Sequence, residues 1–205
     1  MQFKDPPWRR APAERLEGMN SWISQARAWC AGRNWQWRLP LILLLGYTAL
    51  RGLTHPMAWN WWAGITLAVH ELGHVIFGPF GEVLAVAGGS ITQLAAPIAA
   101  AWVLRRQGDW YGVAVGGTWL AYSLANLATY IGDARAQLLP LVGMTDNPEH
   151  DWHFLLARFG WLGYDAALAR LTQFAAAVVL ALSVGFALWL CDVMRRSPAP
   201  AAEGA

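Results

Sequence analysis

Five apolar segments follow one another along the chain, separated by polar stretches. Three of them, residues 83–104, 110–131 and 171–191, contain no Asp, Glu, Lys or Arg and approach the ~20 residues that a helix needs to cross a bilayer. A fourth, residues 61–80, is interrupted by the ionisable stretch HELGH, and the shorter fifth, residues 39–54, can form a span or only half of one. This pattern predicts an all-α membrane protein with four to five transmembrane helices.

The composition agrees with this class, because 56% of the residues are hydrophobic and only 14% are charged. In soluble domains roughly a quarter of all residues are charged. Residues 1–38 are rich in Arg and Trp, and we expect them to include a helix that lies on the membrane surface. Residues 39–196 then form a single transmembrane domain, and residues 197–205 form a flexible tail. The lipid bilayer is the expected partner, and no nucleic-acid-binding motif is present.

The basic residues before the first apolar segment predict that the N-terminus of this integral, multi-pass protein is cytoplasmic, because cytoplasmic segments carry an excess of Lys and Arg.

The stretch HELGH contains His70, Glu71 and His74 inside an apolar segment, where ionisable side chains are costly and need a function. On a helix, His70 and His74 project from one face about 6 Å apart, a separation that allows both imidazoles to bind one Zn²⁺. Glu71 is rotated by about 100° and can reach a water held on the metal. This is the H-E-x-x-H pattern of zinc peptidases.

A catalytic zinc site needs a third protein ligand. Polar residues at steps of three and four form one helical stripe that contains one acid, namely Ser123, Asn126, Tyr130, Asp133 and Gln137. We therefore predict Asp133 as the third ligand, with His150 or His153 as the alternative. The loop 134–164 carries these histidines on the same membrane face and can serve as a lid, and Asp151 can orient a zinc-bound imidazole.

The segment after HELGH allows two interpretations. Residues 79–89 can begin a plain span in which Gly88 and Gly89 permit close helix packing, or they can form a re-entrant strand or hairpin that lines a cavity. In the second case Gln93 lies near the metal and binds a substrate carbonyl or its oxyanion. Asn126 and Tyr130 face the same region, either toward substrate or as hydrogen-bond partners of the ligands.

At these residues the chain resembles the site-2 protease family of membrane-embedded zinc metalloproteases. The resemblance is carried by H-E-x-x-H on a transmembrane helix and by the GPFG and small-residue segments that follow it. In that family two histidines and an aspartate from a later span bind zinc, and the glutamate is the base. The resemblance implies that His70, His74 and Asp133 bind Zn²⁺ and that Glu71 activates a zinc-bound water to hydrolyse a membrane-anchored or juxtamembrane peptide.

Two other functions stay open on the sequence alone. A non-peptidase zinc protein of the membrane, which handles metal or serves as a scaffold or accessory subunit of a complex, needs the histidines but no carboxylate beside them. A zinc hydrolase of a lipid-like substrate uses the same chemistry as a peptidase. Glu71 therefore favours an enzyme, whereas no residue distinguishes a peptide from a lipid substrate.

Overall fold

The computed structural model describes residues 12–58, 60–141 and 149–197. These residues form seven α-helices and no strand, so the all-α prediction is confirmed. The helices are α1 (Pro12–Cys30), α2 (Arg38–Thr54), α3 (Trp61–Phe77), α4 (Glu82–Arg106), α5 (Trp110–Gly132), α6 (Asp151–Arg158) and α7 (Asp165–Arg196). The first part of the predicted N-terminal segment, residues 1–11, and residues 198–205 of the predicted tail lie outside the described residues.

α5 is the central helix, because more than half of its residues are buried and it packs against α7, α4 and α2. α4 and α7 run antiparallel to α5. At one end, the Arg105 guanidinium near the end of α4 lies 3.9 Å from the ring centroid of Trp110 at the start of α5. At the other end, Gly132 of α5 faces Ala169 in the second turn of α7.

α2 runs parallel to α5. The Tyr111 hydroxyl near the start of α5 donates a hydrogen bond to the carbonyl oxygen of Arg38, the first residue of α2. Gly52 near the end of α2 lies against the ring of Tyr122, about halfway along α5. α2 therefore covers only the first half of the central helix.

α3 begins beside α2 and continues in the same direction. The indole Nε1 of Trp62 donates to the Thr48 hydroxyl at 3.0 Å, and the Trp62 ring stacks on Tyr122 at a centroid distance of 6.4 Å. Two turns later, His70 lies against Tyr130 at 6.0 Å. α2 and α3 therefore lie in series along α5.

The structure after α3 contradicts the interpretation of residues 79–89 as a re-entrant strand or hairpin. Gly78–Phe80 form one short 3₁₀ turn, and Gly81 has a φ of 100°, a conformation that suits glycine. Residues 82–106 then form one continuous helix. This segment therefore begins a plain helix, with Gly88 at a close helix contact, and not a strand or hairpin.

Two helices of the described chain are long and apolar enough to cross a membrane, α4 and the helical stretch Leu162–Arg196. Only 28% of the most apolar stretch of each is buried, so most of their apolar side chains face outward. This is fewer than the four to five spans that we expected. α2 and α3 have 17 residues each, about one turn short of the ~20 that cross a bilayer, and polar residues interrupt α5.

α3 and α4 cross where Gly73 meets Gly88. A Cβ at Gly73 would collide with the carbonyl oxygen of Gly88, and a Cβ at Gly88 would lie 2.6 Å from the carbonyl oxygen of Gly73. Small residues allow helix backbones to approach this closely. The crossing places the first turns of α4 beside the last turns of α3, which contain HELGH.

We expect Gly73→Ala to lower the melting temperature of the detergent-purified protein, because the added methyl has no room against the Gly88 carbonyl. Overpacking of this kind costs about 1–3 kcal/mol. Thermal unfolding followed by circular dichroism measures the effect.

The matched control is Gly64→Ala in the same helix, since nothing lies within 4 Å of a Cβ at Gly64. Alanine favours a helix over glycine by up to about 1 kcal/mol, so the melting temperature of this variant should stay the same or rise. An unchanged melting temperature of Gly73→Ala would contradict the close crossing.

Candidate metal centre

HELGH forms part of the last turns of α3 and places His70 and His74 on one face of the helix. The ring centroids are 4.8 Å apart and the ring planes are inclined by 76°. His70 is buried, whereas the His74 side chain is 22% exposed. The four-residue spacing thus produces two neighbouring imidazoles.

Each imidazole is held by a hydrogen bond at Nδ1. His74 Nδ1 lies 2.8 Å from the Ala85 carbonyl oxygen, and because a carbonyl only accepts, this Nδ1 carries the hydrogen. His70 Nδ1 lies 2.8 Å from Gln93 Oε1. Gln93 Nε2 donates to the Ser123 carbonyl at 2.9 Å, which fixes the orientation of the amide and makes Oε1 an acceptor. In its neutral form, each ring therefore presents a lone pair at Nε2.

Asp151 lies between these two Nε2 atoms. Its Oδ2 is 2.9 Å from His70 Nε2 and 3.3 Å from His74 Nε2. Two nitrogen lone pairs and a carboxylate repel one another at such distances unless a proton or a metal cation lies among them. In a tetrahedral zinc site, bonds of 2.0–2.1 Å place the ligand atoms roughly 3.3 Å apart. The two observed separations equal this value or are a few tenths of an ångström shorter.

The short helix α6 delivers Asp151 to the histidines. The backbone N–H of Asp151, its first residue, donates to the Tyr130 hydroxyl at 3.0 Å. The next residue, Trp152, donates from Nε1 to the Ser90 hydroxyl at 3.1 Å. These bonds anchor the start of α6 on α5 and α4, so this part of the predicted lid segment lies beside the histidines.

The Asp151 carboxyl is buried, and burial alone raises its pKa. When the two imidazoles carry protons toward Asp151, their hydrogen bonds and positive charge outweigh burial and hold the pKa of Asp151 below its usual value. Asp151 is therefore ionised near neutral pH, which is the form that binds a metal.

Glu71 is the second carboxylate of the site. One of its carboxylate oxygens and one nitrogen each of His70 and His74 lie within 4.8 Å of one another, so this group can hold a metal ion. Glu71 is partly exposed, and as the residue after His70 it is turned about 100° around the helix. Asp151 contacts both histidines directly, whereas none of the described hydrogen bonds or ion pairs joins Glu71 to either imidazole.

Gly89 leaves open the space in front of the histidines. A Cβ built on Gly89 would lie 2.6 Å from His70 Nε2 and 2.6 Å from His74 Nε2. A side chain at this position would therefore occupy the region where a metal bound to both nitrogens lies. The donor set and this cradle fit a single metal ion such as Zn²⁺.

Gln93 contacts His70 directly, and Asn126 contacts Gln93. Gln93 is 2% exposed, and its Nε2 lies 3.2 Å from Asn126 Oδ1 in addition to its bond to the Ser123 carbonyl. Both ends of the Gln93 amide are therefore engaged. The structure places Gln93 as a residue that orients the His70 ring, not as one that faces a substrate carbonyl.

Asp133 lies beyond the site. Its two carboxylate oxygens accept the backbone N–H groups of Leu138 and Leu139 at 2.9 and 3.0 Å, and its Oδ2 is 3.4 Å from His150 Nε2. Among the described contacts, none joins Asp133 to the histidines of α3. The geometry does not support Asp133 as the third ligand, because its carboxylate caps the chain after α5 and Asp151 reaches the histidines instead.

His150 and His153 hold α6 in place. His150 Nδ1 caps α6 by accepting the backbone N–H of His153 at 3.2 Å, and its ring packs on Tyr130 at 4.3 Å. Burial lowers the pKa of His150 below its usual value, which keeps Nδ1 an acceptor. His153 Nδ1 lies 2.8 Å from the Ala134 carbonyl. Neither alternative ligand contacts the histidine pair among the described contacts.

The sequence predicted Asp151 only as a partner of a ligand and did not predict Ala85, Gly89 or Ser90. The signal for Asp151 was its position between His150 and His153, in a loop on the membrane face shared by the candidate ligands. The Ala85 contact is made by a backbone carbonyl, so its side chain gave no signal.

No protein-family model matches the chain, and no curated protein or solved structure is significantly similar to it.

We expect the purified protein to hold about one zinc ion per chain and Asp151→Asn to weaken zinc binding. Removal of a residue that only hydrogen-bonds to a ligand typically lowers metal affinity by 10- to 100-fold. Asp151→Asn should lower zinc affinity by more than this, because it removes a charged ligand. Elemental analysis and zinc titration of detergent-purified variants measure this.

Asp133→Asn is the matched control, since it makes the same chemical change in a carboxylate that binds backbone N–H groups. This variant should keep its zinc. An equal or larger loss of zinc in Asp133→Asn would restore Asp133 as the ligand and contradict the assignment of Asp151.

Proposed function

We propose that the protein is a membrane-embedded zinc hydrolase that cleaves a membrane-anchored or juxtamembrane peptide. The observation that carries this proposal is the convergence of His70 Nε2, His74 Nε2 and Asp151 Oδ2, with Glu71 beside them. Two imidazoles and one carboxylate are a typical protein ligand set of catalytic zinc, which keeps a further position open.

The ligands of this site are oriented before any metal binds. His70 is held through Gln93 and His74 through the Ala85 carbonyl, so both rings turn Nε2 toward the metal position. Such hydrogen bonds fix the tautomer and raise the basicity of a ligating imidazole. Zinc in this position supplies a Lewis acid that makes water nucleophilic near neutral pH.

Glu71 is the general base in this proposal. It accepts the proton of the attacking water and delivers it to the amine that leaves when the peptide C–N bond breaks. A protein that only carries or stores metal needs no second carboxylate beside the proposed ligand Asp151, so Glu71 favours hydrolysis over metal handling. The resemblance to the site-2 protease family rests on His70, Glu71 and His74, and it favours a peptide over a lipid substrate.

We further propose that the chain crosses the membrane four times. α2 and α3 together make one crossing, and α4, α5 and α7 make one each. Large apolar side chains on the outer surface of these helices, 49% to 68% exposed, would contact lipid; examples are Leu43, Leu50, Ile65, Val75, Ile98 and Leu182. An even number of crossings places both ends of the chain on one side, in keeping with the hydrogen bond of 3.1 Å from Gly32 N–H to the Ser197 carbonyl.

This shared end, which we call the basic end, comprises the end of α1, the starts of α2 and α5 and the ends of α4 and α7. Seven described arginines lie there: Arg27, Arg33, Arg38, Arg105, Arg106, Arg195 and Arg196. Basic residues are retained on the cytoplasmic side of membrane proteins. We therefore propose that the basic end, and with it the N-terminus, is cytoplasmic.

We expect Glu71→Gln to keep zinc and the fold but to lose hydrolysis, because glutamine preserves the shape and removes the proton acceptor. General-base catalysis contributes typically 10²- to 10⁴-fold, so turnover should fall by at least that lower value. Cleavage of co-expressed membrane peptides by wild type and variant measures this loss.

Glu82→Gln is the matched control, because Glu82 is exposed in the first turn of α4 and has no role in the proposed chemistry. Its activity should equal that of wild type. Full activity of Glu71→Gln would reject the hydrolase and leave a metal-handling or scaffold protein as the better proposal.

A further inference from the structure

The metal centre lies at the end of the bundle opposite the basic end. His70 packs on Tyr130, two residues before the end of α5, whereas Trp110 at the start of α5 packs on Arg105 of the basic end. At 1.5 Å per residue, residues 110 and 130 are about 30 Å apart along α5, which is the thickness of the hydrocarbon core. The site therefore lies one bilayer thickness from the basic end.

Charge is distributed unequally between the two ends. Three described arginines, Arg135, Arg158 and Arg170, lie at the end that holds the site, against seven at the basic end. The end with the site therefore carries fewer than half as many described arginines as the basic end, and cytoplasmic faces are marked by an excess of Lys and Arg.

Exposed aromatic side chains surround the end with the site. Phe80 is 66% exposed, Phe159 56%, Trp161 57% and Tyr164 63%. They lie in the turns that follow α3 and α6, at the level of the metal centre. Aromatic rings concentrate at the boundary between membrane and water, so this end reaches the opposite boundary of the bilayer.

We propose that the metal centre opens on the non-cytoplasmic side of the membrane, and that its substrates are membrane proteins with a peptide segment exposed at that leaflet. α6, which supplies Asp151, covers the site from the same side, so a substrate approaches next to this helix. The substrate statement rests on the proposed hydrolase function. The placement of the site rests only on the fold and on the charge distribution.

Single cysteines introduced at the two ends test the placement. Leu138 follows α5 at the end with the site and is 83% exposed, and Gln36 is exposed before α2 at the basic end. The native thiols do not interfere, because Cys30 and Cys191 are 0% and 4% exposed and burial raises the pKa of Cys30 to about 11. Full-length Leu138→Cys and Gln36→Cys are each treated with a membrane-impermeant maleimide, in intact spheroplasts and after lysis.

Leu138→Cys should be labelled as strongly in intact spheroplasts as after lysis, and Gln36→Cys should be labelled only after lysis. The reverse pattern, or labelling of both variants before lysis, overturns the proposal. Labelling does not depend on metal or on turnover. If the labelling holds while Glu71→Gln remains active, the hydrolase proposal fails and the placement of the site stands.

Discussion

The backbones of α3 and α4 touch at Gly73 and Gly88, and the geometry of the metal centre depends on this contact. A Cβ at either residue would push the helices apart. Separation would remove the Ala85 carbonyl from His74 Nδ1 and Gln93 from His70 Nδ1, the two bonds of 2.8 Å that orient the imidazoles. The small residues that follow HELGH therefore have a direct chemical consequence, because they let backbone and amide groups of α4 reach the histidines of α3.

Buried polar groups in an apolar bundle need partners, since an unpaired one costs about 1–3 kcal/mol. The partners here form one chain of contacts from the Ser123 carbonyl through Gln93 and His70 to Asp151. With both imidazoles neutral, this chain leaves one demand unmet within the protein, since two nitrogen lone pairs and a carboxylate face one another. A metal cation satisfies all three atoms at once, which is why the arrangement favours a metal centre over a polar seam between helices.

The sequence predicted the parts of the site that lie within one helix. A spacing of four residues places His70 and His74 on one face, and the predicted stripe contains Asn126, which contacts Gln93, and Tyr130, which lies near His70. It did not predict which acid completes the site, because that depends on the depth at which α6 docks. The bond from Asp151 N–H to the Tyr130 hydroxyl sets that depth, and it joins segments 21 residues apart. The sequence also did not predict that α2 and α3 lie in series along α5, since hydropathy does not encode the direction of a short helix.

The measurement that tests the account most directly is a crystal structure of the metal-loaded protein with diffraction data collected at the zinc absorption edge. The account predicts one anomalous peak at about 2.0–2.2 Å from His70 Nε2, His74 Nε2 and an oxygen of Asp151, with Glu71 near this peak but not bound to it. A peak bound to Asp133 or His150 would contradict the ligand set. The absence of a peak, with Asp151 in direct contact with the two imidazoles, would show that a proton and not a metal joins these three groups.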